Sequence, residues 1–69
     1  MDVTRLVAMA NDIAAFFDSE PDKEIAAESV RLHLTKFWEP RMRHEIVAHL
    51  RNGGAGLSPT ACSGIEKLI

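Results

Sequence analysis

The sequence predicts an all-α fold, a small three- to four-helix bundle or orthogonal helical domain. Apolar residues recur in steps of three and four through the long segments of the chain, as one buried helical face requires. Pro21, Pro40, Gly53-Gly54 and Pro59 punctuate the intervals between them. The 69 residues suffice for one domain. It is divided into a helical core over residues 3–52, a glycine-rich loop over 53–57 and a short C-terminal helix within 58–69.

The first helix is expected from about residue 3 to 18 on the spacing of Val3, Leu6, Val7, Ala10, Ile13, Ala14 and Phe17. Met9 and Phe16 widen that stripe. They either complete a small core or reach a second protein. Arg5, Asn11, Asp12 and Asp18 fill the other side. Pro21 ends this helix, and Asp22 or Ser19 can cap the next.

The second helix is expected over about 23–38, with Ala27, Val30, Leu34, Phe37 and Trp38 as its apolar face. Glu24 and Glu28 stand toward its positive end and Lys36 toward its negative end, as the macrodipole favours. Pro40 disfavours a helical Glu39 and suits the first turn of a new helix, so the chain should turn a corner at Trp38. Phe37 and Trp38 are expected inside that corner, with the other helices packed around it.

The third helix is expected over about 40–52 on Met42, Ile46, Val47 and Leu50. Arg41 and Glu45 are four apart and can pair at its surface. Gly53-Gly54 offers a left-handed cap. The last helix should start at Ser58-Pro59 and run to about 68, with Leu57 stapled against Cys62 and Ile65 and Leu68 as its apolar pair. Gly64 weakens it by about 1 kcal/mol relative to Ala.

Composition narrows the function classes. A core this small supplies only a few kcal/mol of net stability, so a partner surface is the expected support. Cys62 is the only cysteine, which rules out an intrachain disulfide. With no signal peptide, this suits a reducing compartment. No apolar run approaches the roughly 18 residues of a membrane span. Net charge is −2, against general affinity for nucleic acid. The charge is uneven: residues 1–30 hold seven acids and two bases, and residues 31–51 hold five bases and two acids. Such a dipole steers docking or pairs helices with one another.

No self-contained active site emerges, and no catalytic, cofactor-binding or metal-binding residue is assigned. His44 and His49 are five apart, which turns the second ring about 140° from the first and defeats the i, i+4 zinc geometry. They read as solvated surface histidines. His33 reads as a hydrogen-bonded edge residue, and Cys62 as a small buried hydrophobe. The loop 53–57 has no preceding strand and no following Lys-Ser or Lys-Thr, so it is not a phosphate cradle.

Trp38, Arg41 and Arg43 remain. Trp and Arg are enriched at interface hot spots, and arginines beside a tight corner form a positive knob that forks onto carboxylates. The alternative is that Trp38 fills the core and the arginines are solvated or neutralise acids of residues 18–28.

The stretch Phe37-Trp38-Glu39-Pro40-Arg41-Met42-Arg43 resembles the Phe-Trp-acid-Pro-Arg-Met signature of the delta subunit of soluble NAD-dependent formate dehydrogenases. Met9-Ala10-Asn11-Asp12-Ile13-Ala14-Ala15-Phe16-Phe17 is similar to that family's first helix, His33-Leu34 precedes the signature, and Gly53-Gly54-Ala55-Gly56-Leu57 resembles its glycine-rich loop. The resemblance covers about residues 5–57. It implies an accessory subunit of a multi-subunit cytoplasmic complex. In that complex the large alpha subunit carries a molybdenum or tungsten pterin and iron-sulfur clusters, and other subunits carry flavin and reduce NAD. The delta subunit would bind no cofactor and would support assembly or stability of the catalytic alpha subunit. The expected contact is the corner, through Phe37, Trp38, Arg41, Met42 and Arg43, with Met9 and Phe16 at the edges of the first helix. Two alternatives stand beside this reading: a helix-turn-helix nucleic-acid binder using Arg41, Arg43 and Arg51, and an adaptor that homodimerises when isolated.

Overall fold

The computed structural model describes residues 2–69. Four helices follow in order: α1 Val3–Phe17, α2 Lys23–Phe37, α3 Pro40–Arg51 and α4 Pro59–Glu66. The all-α expectation holds, and each helix begins where the sequence signals place it. Local chemistry explains the starts. Asp2 accepts the N–H of Thr4 at 3.2 Å, Asp22 accepts those of Glu24 at 3.0 Å and Ile25 at 3.4 Å, and Ser58 accepts that of Ala61 at 3.2 Å. Pro40 and Pro59 occupy first-turn positions, where the missing N–H costs nothing.

The stops are equally local. α3 ends in a double glycine: the Gly54 N–H donates to His49 O at 2.9 Å and the Gly53 N–H to Leu50 O at 3.1 Å. Both have positive φ, 109° at Gly53 and 63° at Gly54, which a side chain would resist. α2 ends because Trp38 and Glu39 are extended ahead of Pro40.

Leu6, Ala10 and Ala14 of α1 meet Val30 and Leu34 of α2, Ile46 of α3 and Ala61 and Ile65 of α4, and Trp38 closes the cluster. The short C-terminal helix is central to it. α4 makes its most extensive contact with α2 and also packs on α1 and α3, whereas α2 and α3 hardly touch along their lengths. The corner therefore joins two divergent helices, and it is α1 and α4 that fill the space between them.

Gly64 shows how α4 gets so close. A Cβ built there would lie 2.4 Å from Cγ1 and 2.6 Å from Cβ of Val30, and 3.2 Å from Ala27 O. The glycine that weakens α4 in isolation is what lets its backbone lie against α2. The loop before α4 is strapped to α1 by Asn11. Its Nδ2 donates to Gly56 O at 2.8 Å and its Oδ1 accepts the Ser58 N–H at 2.9 Å. Thr60 donates to Asp18, and Lys67 pairs with Glu24.

Candidate interaction surface

At the corner the seven signature residues part company. Trp38 is buried, with 6% of its surface exposed, and its N–H still donates to Leu34 O at 3.0 Å. Phe37 is 66% exposed. The expectation that both aromatics sit inside the corner is corrected for Phe37. Leu34 and Trp38 are four apart and point to the core, and Phe37 is rotated about 60° from Leu34 and about 100° from Trp38, on the outer side. Its ring instead lies 4.7 Å from that of His33, tilted by 45°.

Arg43 turns back into the fold. Its Nη1 donates to Trp38 O, to Thr35 O at 3.3 Å and to Leu34 O at 3.4 Å. A guanidinium thus caps the open carbonyls of α2 and neutralises the negative end of that helix. Arg41 points to solvent. The expected Arg41–Glu45 pair is not formed: among the described residues the side-chain ion pairs are Arg31–Glu28, at 2.6 Å, and Lys67–Glu24. Met42 and Met9 are half-buried and pack against the core cluster.

Phe16, at the end of α1, is 78% exposed and meets Phe17 edge-on, with ring centroids 5.1 Å apart and planes at 88°. Ile13, Phe16, Phe17 and His33 line one hollow of about 220 Å³. Phe17 and His33 also line a neighbouring hollow of about 260 Å³ that includes Phe37. The fold therefore brings Phe16 and Phe37 to one aromatic surface, with Phe17 and His33 between them. It sends Trp38, Met42 and Arg43 elsewhere. Ile25 and Leu32, at 54% and 52% exposure, extend the apolar surface along α2. Sequence reasoning assigned them no role, although their spacing was there to be read.

The remaining titratable groups have structural surroundings. Burial pushes the Cys62 thiol above its ordinary range, and the Glu66 carboxylate adds to the effect. Glu28 is held below the usual carboxylate range by its hydrogen bonds to Arg31. His49 Nε2 lies 2.8 Å from Ala55 O, so that ring serves the glycine loop, while His44 borders a separate groove beside Arg43 and Arg51. Among the described residues no group of three or more His, Cys, Asp or Glu side chains is placed to hold a metal ion. Among the described residues no helix is long and apolar enough to cross a membrane.

Fold and surface together define a small helical module that exposes large aromatic and aliphatic side chains among its charged ones. Residues 5–65 match the family model described as NADH-dependant formate dehydrogenase delta subunit FdsD, and the chain belongs to that family. The match extends past the glycine loop into α4, beyond the reach of the corner signature. No match was found among curated proteins or among solved structures.

Proposed function

We propose that the chain is a non-catalytic accessory subunit of a cytoplasmic NAD-dependent formate dehydrogenase and supports assembly or stability of its catalytic alpha subunit. Family membership over residues 5–65 carries this reading. The aromatic surface supports it physically: a domain with so small a core leaves Phe16 and Phe37 open, as a protein does that covers them with another chain. The action is static. Phe16 and Phe37 dock, and the part-exposed Met9 and Met42 offer further apolar contact away from them. Arg41 offers a fork to a carboxylate, and Trp38 and Arg43 keep the corner in shape.

The test is co-purification. A tagged chain expressed with its formate dehydrogenase should retain the catalytic subunit, and Phe16→Ser combined with Phe37→Ser should release it without unfolding the domain. Full retention by the double variant would remove the aromatic surface from the interface. Formate oxidation by the purified chain alone would overturn the accessory role.

A further inference from the structure

Helix α2 is apolar on two opposite sides. Ala26, Ala27, Val30 and Leu34 face the core and are buried. On the far side Ile25, Ser29, Leu32 and Lys36 follow one another at steps of four, three and four. That is the spacing of a helix–helix seam, and it runs for about 16 Å at 1.5 Å per residue. Among the described residues little covers it: Ile25, Leu32 and Lys36 are exposed and Ser29 is half-buried. Ser29 and Leu32 form a ridge between two shallow grooves. One, of about 460 Å³, lies toward Ile25, and the other, of about 260 Å³, lies toward Lys36 and Phe37. A ridge flanked by grooves is the relief into which a second helix seats its side chains.

We infer that this outer face of α2 docks one amphipathic helix of the catalytic subunit, with apolar residues over Ile25 and Leu32 and a carboxylate against Lys36. The inference rests on the accessory-subunit reading and deepens it. Charge selects the occupant. Lys36 has no ion pair among the described residues, whereas the acids on this side of α2 are engaged, Glu28 with Arg31 and Glu24 with Lys67. An acidic group at the Lys36 end therefore finds a free cation. A second copy of the chain fits poorly. Parallel pairing sets Lys36 against Lys36, and antiparallel pairing about the centre of the seam sets it against Ile25 and the neighbouring Glu24, whose carboxylate Lys67 already holds. Ser29, the small residue in the middle of the seam, leaves room for a large apolar side chain from the partner.

The experiment uses the tagged chain co-expressed with its complex. Ile25→Gln with Leu32→Gln keeps helix-forming residues at exposed positions, so circular dichroism and Trp38 fluorescence should be unchanged. Affinity for the catalytic subunit should fall at least about tenfold. Lys36→Glu should weaken binding, and a carbodiimide should join Lys36 to an acidic residue of the catalytic subunit. Undiminished retention by the Gln double variant, with wild type retained, overturns this docking face and leaves the accessory role standing. Failure of wild type to retain the catalytic subunit overturns both. Self-association of the isolated chain that the Gln variant abolishes, with the complex unaffected, would assign the face to a second copy instead.

Discussion

Gly64 of α4 lies so close to Val30 of α2 that a Cβ on the glycine would come within 2.4 Å of the valine Cγ1. Helix propensity alone says that Gly64→Ala stabilises α4 by about 1 kcal/mol. The contact reverses the sign. The obstructing atoms include the Val30 Cβ, which no rotamer change can move away. Gly64→Ala should destabilise the domain by roughly 1–3 kcal/mol, as overpacking does. Urea unfolding checks this, and a stabilised variant would mean that α4 can lift from α2 at no cost.

Asn11 is the second position where tertiary contact governs. It holds the glycine loop to α1 through one donated and one accepted bond. Asn11→Ala should cost about 1–3 kcal/mol, the range for two lost hydrogen bonds in a partly buried site. The Ser58 amide should exchange faster with solvent, and unchanged protection there would show that the strap is dispensable.

Arg43 and Arg41 should behave differently although both stand just past Pro40. Arg43→Ala removes the cap on α2 and should lower stability by about 1.5–3 kcal/mol, as for bonds from a charged donor. Arg41→Ala should change stability by less than about 0.5 kcal/mol, as exposed sites do. Thermal unfolding of both variants separates the roles. Arg43→Glu is accordingly a fold variant, and only Arg41 can be reversed as a clean probe of the surface.

Trp38→Ala should cost about 3–5 kcal/mol, since the indole is buried at the closing edge of the core. The emission of Trp38 should be blue-shifted in the folded chain and move to the red on unfolding. A native spectrum typical of a solvated indole would contradict the burial.

The Cys62 thiol gives a pH signature. Its folded pKa is raised, so the native state holds the thiol proton more tightly than the unfolded chain. That contribution to stability is present below the ordinary thiol value of about 8.5 and is lost as pH climbs through the higher native value. Alkylation at mildly alkaline pH should be slower for the folded chain than for the chain in denaturant. Equal rates would show an ordinary, freely ionising thiol.

The sequence by itself determined the four helices, because caps, prolines and glycines act within a few residues of where they stand. Asp22, Pro40, Gly53 and Ser58 do locally what their chemistry dictates. It also carried the corner signature that resembles the delta-subunit family. Tertiary structure alone decided which side chains of that signature face outward. Phe37 and Trp38 are neighbours in the chain, and one helical step separates solvent from core. It decided too that Arg43 serves α2, that Asn11 holds a loop more than forty residues away, and that Gly64 is a contact point. The Asn11 and Gly64 contacts depend on the approach of segments distant in sequence, and the Arg43 contact depends on how the chain turns between α2 and α3. Periodicity along one helix contains no information about what comes to lie against it.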